Sequence, residues 1–214
     1  MRRTVLDKES VISFFNRCAP SWDKDLVRNE PAIARILDNG GVRAGVSVLD
    51  VACGTGVLLP DYLARGVSSV TGVDISPEMI RIAREKAARL ADGNGGAVHF
   101  LCADIETVRL PQRYDCVMVY NAFPHFPEPE RLLRVLAGWV KPGGRLSVAH
   151  GMSRAQLTAH HSGSASKISR GLPEAEALAA MMAPYLAVDV VISDEQMYQV
   201  AGTRRTETEE AAVK

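Results

Sequence analysis

The sequence predicts an α/β fold in which helices cover both faces of a doubly wound, mainly parallel sheet. Three observations predict it. Apolar, β-branched runs alternate with helix-capable segments from residue 46 onward. The first run, residues 48–51, leads directly into a tight turn that contains Gly54 and Gly56. Two later runs, residues 188–192 and 196–200, flank a short turn, which predicts that an antiparallel C-terminal hairpin completes the sheet.

Residues 1–45 precede the first predicted strand and are expected to form a helical N-terminal arm. Within the arm, Pro31 favours a helix start because proline fits the first helical turn, and Gly40 favours the end of that helix. The arm also carries aromatic residues outside the predicted sheet: Phe14, Phe15 and Trp22. These side chains either cover a site at the edge of the sheet or pack the first helices onto it.

The second predicted strand, residues 70–73, leads into the most clearly defined helix. Ser76 can cap that helix, Pro77 fits its first position, and the carboxylate of Glu78 complements the helix dipole. The remaining predicted elements are strands over residues 98–102, 114–120 and 145–150 and helices over 128–140, 153–161 and 173–183.

The chain is expected to form a single domain over residues 1–214. A chain of 214 residues can bury one sizeable core, and 47% hydrophobic with 23% charged residues is ordinary for a globular protein. The predicted divisions are an arm that acts as a cover over 1–45, a core over 46–202 and a flexible tail over 203–214.

The glycine turn and a later acid together predict an adenosine-type ligand. Asp74 ends the second strand, where an acid in an open α/β sheet holds ribose hydroxyls. A dinucleotide site favours a third glycine at the position of Leu59. Asp50, inside the first strand, suits a cofactor that carries a cation and disfavours a pyrophosphate. An NAD(P)-dependent reductase is therefore the less favoured alternative.

At these residues the chain resembles the class I S-adenosylmethionine-dependent methyltransferases, which have a Rossmann-like fold. The first family motif is matched by Val48, Leu49, Asp50, Gly54 and Gly56. Later family motifs are matched in order by residues 73–79, 102–105, 114–120 and 140–146. Residues 17–23 resemble the arm of the ubiquinone- and menaquinone-biosynthesis methyltransferases and the related "methyltransferase type 11" group, although Trp22 stands where tyrosine is commoner.

The resemblance implies S-adenosylmethionine as the cofactor and S-adenosylhomocysteine as its product. It assigns the ribose hydroxyls to Asp74, the adenine amine to Asp104 and the methionine end to the backbone around Gly54. As an alternative, Asp104 caps a turn before Glu106. The predicted cofactor-binding set is Asp50, Ala52, Gly54, Gly56, Asp74, Ile75, Met79, Ala103, Asp104, Ile105, Tyr120 and Trp22.

Methyl transfer is an in-line displacement, so the protein mainly orients the nucleophile and excludes water. A hydroxyl or thiol nucleophile is helped by a base, and histidine is the usual base near neutral pH. The predicted catalytic candidates are His125, His150 and His161, which follow the fourth and fifth strands. The alternative is that each is a solvated or capping histidine. No metal site is predicted, because the cysteines and histidines lack ligand spacing.

The expected acceptor is a small molecule attacked at oxygen, sulfur or an activated carbon. Lys plus Arg equals Asp plus Glu at 25 each, and this zero net charge argues against nucleic acid. Residues 121–124 also lack the Pro-Pro-aromatic motif of enzymes that methylate amino groups of nucleic acids. A monomer or homodimer is expected. The remaining alternative is a partner or sensor protein that binds S-adenosylmethionine without catalysis.

A cytoplasmic protein without membrane contact is expected. The sequence shows neither a signal-like segment nor an apolar run of membrane-spanning length. Its four cysteines lack paired spacing, which favours free, reduced thiols.

Overall fold

The computed structural model describes residues 7–90, 97–160 and 168–206. In these ranges the strands are β1 (Ser47–Val51), β2 (Ser69–Asp74), β3 (Ala97–Cys102), β4 (Tyr114–Tyr120), β5 (Val140–His150), β6 (Leu186–Ser193) and β7 (Tyr198–Arg204). The helices are α1 (Lys8–Asp25), α2 (Glu30–Asn39), α3 (Leu59–Ala64), α4 (Pro77–Leu90), α5 (Pro129–Trp139), α6 (Arg154–His160) and α7 (Ala175–Met182), with a 3-10 turn at Phe123–His125.

The strands form one seven-stranded sheet in the order β3-β2-β1-β4-β5-β7-β6. Neighbouring strands among β1 to β5 pair in parallel, whereas β7 is antiparallel to both β5 and β6. The predicted fold class is therefore confirmed. Strand β1 lies centrally, with β2 on one side and β4 on the other, so the strand order reverses beside it. A ligand of an open α/β sheet binds at such a reversal, outside the carboxyl ends of the strands.

The core lies on both faces of the sheet. All five residues of β1 are buried, and its apolar members Val48, Leu49 and Val51 point to both faces of the sheet. Because side chains alternate along a strand, Leu49 and Val51 join one apolar cluster and Val48 joins the other. Helix α5 covers the first face, and α2 covers the second. The sheet therefore has a fixed position between two helical layers.

The C-terminal hairpin extends further than the sequence predicted. Strand β7 continues to Arg204, whose guanidinium donates to the carbonyl oxygens of Ala137 at 3.1 Å and Val140 at 2.8 Å. The prediction of a flexible tail from residue 203 is wrong at this boundary, because Thr203 and Arg204 pair with β6. The remainder of the predicted tail, 207–214, lies outside the described residues.

Helix α1 packs against α4 at the carboxyl edge of the sheet. It begins at the cap Asp7, whose carboxylate accepts from the backbone N–H groups of Glu9 and Ser10, and it continues through Pro20. Further along, the Ser76 hydroxyl contacts Asn16 Oδ1 at 2.7 Å. Across the described ranges, no helix is both long and apolar enough to cross a membrane.

Candidate active site

A cavity lies at the carboxyl ends of β1, β2 and β4, and α1 forms one of its walls. The cavity holds eleven of the twelve predicted cofactor-binding residues. They are Asp50, Ala52, Gly54, Asp74, Ile75, Met79, Ala103, Asp104, Ile105, Tyr120 and Trp22. The roles assigned to them by resemblance stay predictions, but their convergence on one cavity follows from the parallel strand order.

Gly56 is the exception, since it does not line the cavity. Its φ is +73°, and its N–H donates to the carbonyl oxygen of Cys53 at 2.9 Å. A Cβ at this position would also reach ordinary contact distance of Phe100 and Ala83. The prediction that Gly56 approaches the ligand is therefore corrected. Gly56 closes the turn and lets it pack on the core.

The turn after β1 is held by the acid that ends β2. The backbone N–H of Gly54 donates to Asp74 Oδ2 at 2.9 Å, and that of Ser76 donates to Asp74 Oδ1 at 2.8 Å. Asp74 is only 8% exposed. Burial raises its pKa, and the N–H donors of Ser76 and Gly54 offset only part of that rise. Asp74 thus joins two segments of the cavity wall.

Asp50 is a buried acid in the cavity wall. It is 4% exposed, and burial raises the pKa of its carboxyl to about 8, with the nearby charge of Asp74 adding to the rise. Among the described residues, no lysine, arginine or histidine forms an ion pair with it. A cation placed in the cavity would favour the ionised carboxylate and lower this pKa.

Asp104 lies at the far end of the cavity, beyond β3. Its Oδ1 accepts from the backbone N–H of Glu106 at 3.0 Å, so the turn-capping alternative describes one of its contacts. Its Oδ2 contacts Lys8 Nζ at 2.6 Å. Burial opposes the charge of Lys8, but the hydrogen bonds that its ammonium donates to Asp104 and Glu106 keep the pKa of Lys8 above its ordinary value. The carboxylate expected to take the adenine amine is therefore ion-paired with α1.

His125 is the predicted catalytic histidine that lines the cavity. Its Nδ1 lies 2.7 Å from the carbonyl oxygen of Ile168. A carbonyl oxygen only accepts, so Nδ1 carries the proton and the neutral ring presents Nε2 as its basic nitrogen. The ring also packs edge-on against Phe15, with centroids 5.1 Å apart. These two contacts fix the tautomer and the orientation of the imidazole.

The other two histidine candidates do not join His125 in the cavity. His150 is 1% exposed and lies opposite Tyr198 in the β5–β7 ladder, with ring centroids 6.2 Å apart. The prediction that His150 faces the acceptor is wrong. The end of β5 lies one strand further from the point where the strand order reverses, and the His150 side chain is packed against β7. His161 lies outside the described residues. Within those residues no cluster of His, Cys, Asp or Glu is arranged to hold a metal ion.

Three features of the site went unnoticed in the sequence. Lys8 lines the cavity, but its partner lies 96 positions later, and no local pattern marks such a pair. Asn121 adopts a left-handed φ of +54°, and its Oδ1 accepts from the N–H of Gly151 at 3.0 Å. Ala52 adopts φ +52°, a conformation that costs a non-glycine residue about 1 kcal/mol or more. Asn is a common residue in this region, so Asn121 offered a weak signal.

Comparison with known proteins shows what this chain is similar to. The family described as a methyltransferase domain matches residues 48–144, which include the glycine turn, Asp74 and Asp104. The ubiquinone biosynthesis O-methyltransferase of Coxiella burnetii is 31% identical over 147 residues, covering 66% of this chain and 61% of that protein. Over residues 48–144 the chain matches a methyltransferase domain, and it is similar to the class I S-adenosylmethionine-dependent methyltransferases.

Solved structures agree with this family at the level of the fold. The magnesium protoporphyrin IX methyltransferase of Synechocystis PCC 6803, solved with S-adenosylhomocysteine, superposes with a TM-score of 0.68 at 20% identity, covering 92% of this chain and 99% of that one. The [4+2]-cyclase SpnF superposes with a TM-score of 0.66 at 19% identity, covering 84% of this chain and 73% of that one. The fold of this family thus occurs in proteins described by different reactions, and the reaction has to be argued from the site.

Proposed function

We propose that this protein is an S-adenosylmethionine-dependent enzyme that methylates a small, largely apolar acceptor. The observation that carries the proposal is the buried acid Asp50. Asp50 is 4% exposed, and its pKa is raised to about 8. Such a buried acid is suited to a ligand that brings its own positive charge, because the ligand's charge stabilises the ionised carboxylate. S-adenosylmethionine carries an ammonium and a sulfonium and no phosphate.

The remaining polar groups fit the same ligand. Asp74 places a carboxylate at the end of β2, where ribose hydroxyls are held in this fold. Ile75 and Ile105 offer apolar surfaces for an adenine ring, and Asp104 offers an acceptor for its amine. Ala52, Gly54 and Tyr120 place backbone beside Asp50, and Met79 and Trp22 complete the wall. The cofactor supplies an activated methyl group, and these residues bind and orient it.

The acceptor side of the cavity carries no charged side chain among the described lining residues. Its wall is formed by Val11, Phe15, Leu26, Val57, Phe126 and Pro127. His125 is the titratable group on this side, and its Nε2 is suited to accept a proton from a hydroxyl or thiol as that atom attacks the methyl carbon. We therefore infer a neutral acceptor methylated at oxygen or sulfur, with an activated carbon as the alternative. The similarity to O-methyltransferases of ubiquinone biosynthesis favours oxygen.

The chain spans 61% of the length of those relatives, so their substrates are a starting panel and not an assignment. The first test is calorimetric titration with S-adenosylhomocysteine and, separately, with NADH. The second is turnover of labelled S-adenosylmethionine with a panel of phenols, thiols and matched phosphorylated phenols. Binding of S-adenosylhomocysteine alone and labelling of the neutral acceptors are expected. Binding without labelling would favour the sensor alternative, and preferential NADH binding would contradict the proposal.

A further inference from the structure

Lys8 bridges two carboxylates that belong to a different part of the chain. Its Nζ lies 2.6 Å from Asp104 Oδ2 and 2.7 Å from Glu106 Oε2. The side chain of Lys8 is 38% exposed, that of Asp104 22% and that of Glu106 only 2%. A surface ion pair contributes little, but this bridge includes a carboxylate that has lost almost all contact with water.

Glu106 depends on Lys8 for its charge compensation. Arg131, at the start of α5, is the other cation near it, and its Nε is 3.5 Å from Glu106 Oε1. That separation is longer than a good charge-assisted hydrogen bond, whereas the Lys8 contact is short. Removal of the Lys8 ammonium would leave a buried carboxylate with one distant partner. The bridge is therefore a strong constraint on where the first turn of α1 can lie.

The same helix reaches the opposite end of the cavity. Phe15 lies seven residues after Lys8, which corresponds to about 10 Å along an α-helix. Its ring packs against His125 at 5.1 Å and against Trp22 at 5.7 Å, measured between centroids. Helix α1 thus contacts the expected adenine end through Lys8 and forms the acceptor wall through Phe15. A movement of one contact would disturb the other.

Asp104 has room for both Lys8 and a ligand donor. An ionised carboxylate offers about four lone-pair sites. The N–H of Glu106 uses one on Oδ1, and Lys8 uses one on Oδ2. An adenine amine can therefore share Asp104 with Lys8 and does not have to displace it.

We propose that Lys8 is a positioning residue, which holds α1 closed over the bound cofactor by bridging Asp104 and Glu106 and so completes the acceptor wall. This inference rests on the proposed function. No family motif assigns a role to Lys8, which lies outside the matched range of 48–144. Loss of the bridge should shorten cofactor residence and weaken acceptor binding, while the rate of the chemical step at saturation changes less.

The experiment compares Lys8→Met with Lys8→Arg and with the control Lys24→Met. Lys24 lies on the same helix, is exposed and has no ion-pair partner among the described residues. The rate at which Lys8→Met releases S-adenosylhomocysteine, measured by stopped flow, is expected to be about tenfold higher than that of wild type, because a partly buried ion pair is lost. KM for the acceptor should rise with a smaller change in kcat. Lys8→Arg should restore most of the residence time, and Lys24→Met should match the wild type.

A second measurement separates this inference from the proposed function. Cleavage of the ligand-free protein by chymotrypsin, after the aromatic residues of α1, reports on whether α1 is closed without any cofactor. Lys8→Met should be cut several-fold faster than wild type, while the melting temperature of the core stays unchanged. Glu106→Gln should act in the same direction, and the double variant should be less than additive. Unchanged cleavage or unchanged release in Lys8→Met would overturn the inference. If the wild type does not bind S-adenosylhomocysteine, the proposed function fails. In that case, faster cleavage of Lys8→Met would show that the bridge is purely structural, and this result would also overturn the inference.

Discussion

The backbone N–H of Gly54 donates to Asp74 Oδ2 over 2.9 Å, and this bond joins the turn after β1 to the end of β2. The other oxygen of the same carboxylate accepts from the N–H of Ser76, at the start of α4. Asp74 therefore sets the position of both neighbouring segments before any ligand is present. A residue assigned to ligand binding by its place in the sequence also has a structural role.

Replacement of Asp74 by alanine should abolish S-adenosylhomocysteine binding and also lower stability. Two buried N–H groups would lose their acceptor, which costs about 1–3 kcal/mol for each group left unsatisfied. We expect the dissociation constant, measured by calorimetry, to rise at least about 100-fold, since a ribose contact is lost and the turn loosens. The matched control is Asp38→Ala, at an exposed carboxylate on α2. Retained affinity in Asp74→Ala would remove Asp74 from the cofactor site.

Asp50→Asn should stabilise the ligand-free protein more at pH 8 than at pH 5. The pKa of Asp50 is raised to about 8 in the folded chain, against about 3.9 for an unfolded aspartate. Between these values the folded state holds more protons than the unfolded state, so the free energy of unfolding contributed by Asp50 falls as pH rises. Asparagine removes this loss. The melting temperature of the variant should exceed that of wild type by about 5 °C more at pH 8 than at pH 5.

Asp115→Asn serves as the control with the opposite sign. Burial opposes ionisation of Asp115, but hydrogen bonds from Ser47 and Lys141 prevail and lower its pKa. Its stabilising contribution is therefore present above the unfolded pKa and is lost as pH falls through the lowered folded value. The asparagine variant should lose stability at neutral pH and approach wild type in acid. Equal shifts for Asp50→Asn at both pH values would contradict the assignment of a raised pKa.

His125→Ala should spare cofactor binding and reduce turnover. A positioned general base contributes about 10²–10⁴-fold to the rate, so kcat for a hydroxyl acceptor should fall within that range. The dissociation constant of S-adenosylhomocysteine should stay within about twofold, because no cofactor role is assigned to this imidazole. His99→Ala, at an exposed position on β3, is the matched control. Unchanged turnover in His125→Ala would remove it as the base.

Ala52→Val should be far more harmful than Ala52→Gly. Ala52 has φ +52°, a region that glycine adopts freely and that is a genuine outlier for a β-branched residue. We expect the glycine variant to change the free energy of unfolding by less than about 1 kcal/mol. The valine variant should lose about 2 kcal/mol or more and bind S-adenosylhomocysteine weakly. Urea unfolding of the two variants measures both effects, and equal stability would argue against the left-handed backbone at this position.

The sequence of strands along the chain and the antiparallel C-terminal hairpin could be predicted from local patterns, because each strand carries its own signature. Residues 48–51 are all buried and read as an apolar run interrupted only by Asp50. In β6, by contrast, exposed and partly buried residues alternate after the buried Leu186, as expected for an outer antiparallel strand. That two acids meet at one cavity could be predicted for a similar reason. Asp74 ends β2 and Asp104 follows β3, and parallel strands bring their carboxyl ends to one edge.

The positions of the candidate catalytic histidines were predicted less well. A place at the end of a strand specifies the edge of the sheet but not the direction in which the side chain points. His125 and His150 both follow strands, yet one lines the cavity and the other packs against Tyr198 in the core. The difference comes from the extra antiparallel strand β7, which covers the β5 side of the sheet. No property of His150 itself distinguishes the two cases.

The sequence by itself determined the α/β class, the glycine turn, the acids at the strand ends and the resemblance to methyltransferases, because these depend on local residue order and spacing. Only the tertiary structure decided which side chains share the cavity and which charges meet. The ion pair of Lys8 with Asp104 and the contact of Phe15 with His125 join residues 96 and 110 positions apart. Such contacts depend on how α1 packs across the sheet edge, and long-range packing leaves no periodic signal in the chain.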